Sequence, residues 1–169
     1  MSAAPKMESK NPLFDKRLIN AFVDGVIKTL KTMAYTEVTP GKPFIEAKFI
    51  MKGEIAGMVG MVAPPIKGTF LICFDKPAIF AILENMIGEV HTELNSDVSD
   101  GVGEMTNMIY GAAKTTLNEL GYKFEMAIPS VITGISGAFS ISHGHLGATL
   151  VIPFNLPNGT IFYIEIAVE

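Results

Sequence analysis

The sequence predicts an α+β fold, one mostly antiparallel sheet covered by about three helices, and three observations predict it. Apolar residues recur at three- and four-residue intervals in one long stretch near the start and another near the middle, as on helices that lie on a core. Beyond residue 129 they alternate or run in short blocks between turn signals, as strands do. Helices therefore gather early and centrally while antiparallel strands dominate the end, which is the α+β pattern. At 169 residues the chain has the length of one domain, large enough to bury a substantial core. We expect residues 1–10 to be a flexible polar tail and residues 11–169 to form that single domain.

Phe14, Leu18, Ile19, Phe22, Val23, Val26, Ile27, Leu30 and Met33 mark a first helix that ends before Pro40-Gly41. Ile45, Ala47, Phe49 and Met51 alternate with Glu46, Lys48 and Ile50, the signature of a half-buried strand. Ile55 to Val62 and Thr69 to Phe74 are further strands, with the turn at Pro64-Pro65, because proline cannot sit in a central ladder. Pro77 suits the first turn of a short helix to Ile87, closed by Gly88. Ser96, Asp97 and Asp100 supply capping chemistry and negative charge for a long helix that ends at Gly121. Ser130 to Ile135, Ala138 to Ser142, Ala148 to Pro153 and Thr160 to Val168 read as strands, the last two joined through Pro157-Asn-Gly159.

The long helix carries the most informative segment, Asp100-Gly-Val-Gly-Glu104-Met-Thr-Asn107-Met-Ile-Tyr-Gly111. At about 100° per residue, Glu104 and Asn107 stand roughly 60° apart and point the same way. Val102, Met105, Ile109, Ala112, Ala113, Thr116, Leu117 and Leu120 form the apolar stripe on the other side. Asn is a poor residue in mid-helix, and each helical glycine costs roughly 1 kcal/mol relative to alanine. A face that needed only solvation is filled at less cost with Glu and Lys. Gly103, Glu104, Asn107 and Gly111 therefore read as a face shaped for close approach by a partner, with Met108 beside it as an adaptable contact.

Gly103-Glu-Met-Thr-Asn107-Met-Ile-Tyr-Gly111 resembles the G-E-x-x-N-M-I-x-G signature of the CheC/CheX/FliY family of response-regulator phosphatases. Asp100, Glu104, Asn107 and Pro129 fall where the family pattern has an Asp or Ser, the Glu, the Asn and a distant Pro. The helix introduced by Asn11-Pro-Leu-Phe and the segment Ala127-Ile-Pro129-Ser-Val-Ile-Thr-Gly134 are similar to the family's opening helix and post-helix segment. CheC-type members resemble a duplicated unit with E-x-x-N on two helices. The first helix here offers only Arg17-Leu-Ile-Asn20, and Arg cannot replace a carboxylate, so one site per chain is expected, the CheX arrangement.

The resemblance implies a phosphatase acting on the phosphorylated aspartate of a CheY-type response regulator. An amide does not titrate in the accessible range but can hold a water by donating and accepting hydrogen bonds, so Asn107 would position the attacking water. Glu104 would dock to the regulator's active-site lysine, with Asp100 in a supporting role near the helix start. Mg²⁺ would come from the partner, and no cofactor or metal of the chain's own is expected. The alternative is a non-catalytic dimeric adaptor of the same type that binds a regulator or another signalling partner.

Composition sets the remaining bounds. A net charge of −4 and a pI near 5.4, with no basic stripe, argue against nucleic acid. Gly, Pro and charged residues interrupt every apolar run short of a membrane span, and residues 1–10 lack the apolar core of a secretory signal. The single Cys73 fits a reducing, cytoplasmic setting as a buried strand residue. A hydrophobic content of 49%, together with the resemblance, suggests a homodimer. His143-Gly-His145 offers two imidazoles without a nearby Cys or carboxylate, too few for a metal site, and His91 stands alone in a loop.

Overall fold

The computed structural model describes residues 15–134, 140–141 and 148–168. The tail, the Asn11-Pro-Leu-Phe segment, and His143 and His145 lie outside the described residues. Helix α1 (Lys16–Met33) opens on Asp15, whose extended backbone and carboxylate cap the Arg17 amide at 3.0 Å. The same carboxylate accepts from the Arg17 guanidinium and from the Tyr122 hydroxyl, joining the start of α1 to the chain just beyond the third helix. The Arg17 hydrogen bond holds the Asp15 carboxyl below its usual pKa, while burial and Asp15 push Tyr122 up to about 12.

After α1 come the short strands β1 (Thr39–Pro40), β2 (Phe44–Glu46) and β3 (Phe49–Ile50), then the long strands β4 (Ile55–Ala63) and β5 (Ile66–Phe74). Helices α2 (Lys76–Ile87) and α3 (Ser96–Glu119) follow. Strands β6 (Ser130–Thr133), β7 (Ser140–Ile141), β8 (Thr149–Asn155) and β9 (Ile161–Val168) complete the chain. The main sheet runs β1-β8-β9-β5-β4-β6, every pair antiparallel, with β2 also on the outer edge of β8. Three helices on an antiparallel sheet are the architecture expected from the sequence. Pro64-Pro65 forms the β4–β5 turn, and the β8–β9 turn is closed by Leu156 and Gly159 around Pro157 and Asn158.

Alternation along β5 divides the interior. Phe70, Ile72 and Phe74 join the main core under the helices, whereas Leu71 and Cys73 face the other way, into a smaller cluster with Phe49, Met51, Ala56 and Ala167. In the main core Phe22 stacks on Phe70 and Phe154 on Phe162, with centroids 5.0 and 5.2 Å apart.

Two expectations are corrected. The single strand over residues 45–51 is two: β2 pairs with β8, the chain bends at exposed Ala47 and Lys48, and β3 crosses to pair with β7. Alternation reports which side of a strand is apolar, not which neighbour it bonds. The bend brings Lys52 back onto Glu46, at 2.6 Å. The cap of α3 is Asn95, which accepts from the Val98 amide at 3.0 Å, so Ser96 and Asp97 occupy the first turn instead. Gly88 (φ 73°) and Gly121 (φ 99°) end α2 and α3 in the left-handed conformation, as their positions suggested.

Candidate active site

Helix α3 is held by backbone that comes close on several sides. At Gly57 of β4 an added Cβ would lie 1.8 Å from Thr106 Oγ1, so only glycine lets α3 sit this close to the sheet. Thr106 is fully buried there and satisfies its hydroxyl on the Val102 carbonyl at 2.6 Å. A Cβ at Gly25 of α1 would stand 3.2 Å from the Ile109 carbonyl, and one at Gly101 would meet Leu83 of α2 at 2.6 Å. Tyr110 donates to the Glu125 carbonyl at 2.8 Å, tying the helix to the strand-bound segment that follows it.

The inner face of α3 consists of Val98, Val102, Met105, Thr106, Ile109, Tyr110, Ala113 and Leu117. This is the expected stripe with a shift: Thr106 and Tyr110 are buried, while Thr116 and Leu120 are exposed and Ala112 is half-buried. Thr106 and Tyr110 escape a hydrophobic pattern because each takes its hydroxyl to a backbone carbonyl.

Glu104 and Asn107 are exposed on the outer face, and among the described residues neither is held by a hydrogen bond or ion pair. Asp100 is exposed one turn earlier, and Met108 is half-buried. The two glycines differ. Among the described residues nothing lies within 4 Å of a Cβ at Gly111, whereas one at Gly103 would touch Val131 of β6 at 3.5 Å. Gly103 thus borders the strand that follows Pro129, which brings the distant proline segment to the side of the motif.

Between α2 and α3 lies a cleft of about 280 Å³. Leu83, Met86 and Ile87 form its apolar wall, and Glu89, Asp97, Asp100 and Glu104 line it with carboxylates. Asp97, Asp100 and Glu104 follow one another at three- and four-residue steps and so share a side of the helix. Such a row concentrates negative potential and attracts a cationic group. Sequence reasoning assigned Asp97 to the helix end and left out Glu89, although the spacing of the three α3 acids was visible.

The family model for the chemotaxis phosphatase CheX matches residues 55–155, more than half of the chain. The chain belongs to the CheX family. It is similar over 90% of its length to the chemotaxis protein CheX of Vibrio vulnificus, with 39% identity, 99% of that chain covered and a TM-score of 0.80. The CheY-P phosphatase CheX of Thermotoga maritima is 23% identical over 121 residues, 71% of this chain and 77% of that protein. The fold is also similar to the CheX–CheY–BeF3–Mg²⁺ complex of Borrelia burgdorferi, at 25% identity, TM-score 0.73, with 90% of this chain and 97% of that one covered. Within this CheX-family chain the first helix adds no second E-x-x-N: Arg17 is bound to Asp15, and Asn20 stands beside it without a carboxylate partner in the motif position.

Proposed function

We propose that this protein is a phosphatase that speeds hydrolysis of the aspartyl phosphate of a CheY-type response regulator. The observation that carries the reading is the exposed Glu104–Asn107 pair on a helix clamped against the sheet. Three kinds of support converge: membership of the CheX family, the similar T. maritima protein named as a CheY-P phosphatase, and the similar B. burgdorferi protein whose structure includes CheY, BeF3 and Mg²⁺.

The outer face of α3 enters the regulator's active site, and the side chains divide the work. Glu104, at the end of the carboxylate row, pairs with the regulator's lysine and sets the register. Asn107, one turn on, holds a water in line with phosphorus through its amide. Orientation of this kind accounts for much of the acceleration available to phosphoryl transfer, since little covalent chemistry is left for the protein to do. The metal of this reaction, Mg²⁺, belongs to the regulator. Asp100 supports the helix start, Gly111 leaves room for the regulator's backbone, and Gly103 and Met108 shape the flanks. We further place the protein in the cytoplasm as a homodimer; among the described residues no helix is long and apolar enough to cross a membrane. Sedimentation is expected to give about twice 18.2 kDa.

The test is the decay of a phosphorylated CheY-type regulator with and without this protein. Decay that accelerates in proportion to the protein added is the expected result. Tight binding without acceleration would make the protein an adaptor, and neither binding nor acceleration would remove this reading.

A further inference from the structure

We propose that Glu89, His91 and Asp97 form a binding site for a divalent cation of the zinc class, at the mouth of the cleft between α2 and α3. The loop from Gly88 to Asn95 folds back so that one ligand atom from each of these residues lies within 4.8 Å of the others. His91 is what sets this cluster apart from an ordinary acidic surface. Its side chain is only 6% exposed although it stands in a loop, and its Nδ1 is buried with no hydrogen-bond partner among the described residues. Nε2 faces the Glu89 carboxylate at 3.8 Å, beyond hydrogen-bond reach. Buried imidazoles are ordinarily satisfied, so one that has no hydrogen bond at either ring nitrogen among the described residues, with two carboxylates close by, points to an absent ligand.

The donor set selects the class of cation. One imidazole nitrogen and two carboxylate oxygens suit Zn²⁺ and its transition-metal neighbours, whereas Mg²⁺ and Ca²⁺ prefer oxygen alone. Bond lengths of about 2 Å require the three groups to close in. Glu89 and Asp97 are both exposed and free to rotate toward the anchored imidazole. The positive end of the α3 dipole works against a cation here, but Asp97 with Asp100 and Glu104 behind it supplies more opposite charge than the dipole removes. Considered alone in the sequence, His91 gave no sign of a metal, because Asp97 meets it only through the turn between the helices. The site takes no part in the phosphatase reading, and its test involves no regulator.

The experiment is calorimetric titration of the chelator-treated full chain with Zn²⁺, repeated with Mg²⁺. One Zn²⁺ per chain is expected, weakened at least about tenfold by His91→Ala and by Asp97→Asn, with no comparable Mg²⁺ binding. Asp97→Asn lies on an exposed helical turn, so it decides the matter if His91→Ala fails to fold. His143→Ala/His145→Ala is expected to bind Zn²⁺ as the parent does. Absence of Zn²⁺ binding, or binding that survives Asp97→Asn but vanishes with His143 and His145, would overturn the proposal.

Discussion

Two carboxylates set into apolar elements, Glu165 of β9 and Glu104 of α3, meet opposite environments. Glu165 is fully buried on the sheet face away from the helices. It lies 3.5 Å from the Lys52 ammonium and accepts from the Cys73 thiol at 3.3 Å. Burial raises its pKa, opposed chiefly by Lys52, and burial together with the Glu165 charge pushes the Cys73 thiol well up. Burial also works against the charge on Lys52, but the hydrogen bond to Glu46 and the nearby Glu165 outweigh it and leave its pKa raised. Among the described residues Glu104 has no such partners, and it is exposed. The chemistry of a carboxylate is thus assigned by its surroundings: one is committed to the fold, the other left available.

That contrast can be broken from either side. Lys52→Ala leaves Glu165 buried without its counter-charge, which costs about 3 kcal/mol, the lower end of the range for a broken buried pair because Lys52 is 19% exposed. Denaturant unfolding is expected to show this loss, and Glu165→Gln in the same background to recover most of it. Full stability in the single variant would show that the pair is not what holds this face together. Glu104→Lys should do the reverse, leaving the unfolding midpoint near the parent while weakening regulator binding by about 100-fold or more through like charges at the docking point. Calorimetry with the regulator decides it.

Asn107→Ala sharpens the division inside the site itself. Stability should stay level or rise by a few tenths of a kcal/mol from helix propensity, binding should survive, and dephosphorylation should slow by about 10²-fold, roughly 2.7 kcal/mol in the barrier. Parental turnover in this variant would refute the water-positioning role. The smallest effect is expected at Gly111→Ala. Among the described residues no neighbour lies within 4 Å of the added methyl, so a mid-helix glycine replaced by alanine should stabilise the free protein by about 1 kcal/mol. Weaker regulator binding is expected alongside. A gain in both would show that nothing approaches this glycine.

How much was legible in the sequence follows from the range of each signal. The α3 motif and its exposed pair could be found because helical periodicity is local and Glu104 and Asn107 lie three residues apart. Gly88 and Gly121 were legible as helix ends for the same reason. What could not be found depends on two distant segments meeting. The importance of Gly57 lies in Thr106, nearly fifty residues away, and that of Gly101 in Leu83. The alternation from Ile45 to Met51 carried no mark of the bend at Ala47-Lys48, since the partners that separate β2 from β3 are supplied by β8 and β7. The cleft acids illustrate both cases: Asp97, Asp100 and Glu104 share a visible spacing, while Glu89 joins them only through the α2–α3 turn.

The close backbone contacts at Gly25, Gly57 and Gly101 have a consequence for the thermodynamics of association. A recognition helix that is loose before binding must surrender conformational freedom as it docks, and that loss is subtracted from the affinity. Here α1, β4 and α2 have already removed that freedom during folding. On the proposed reading α3 would reach a regulator with its backbone already ordered, and docking would cost mainly the rotamer freedom of exposed side chains such as Glu104 and Asn107.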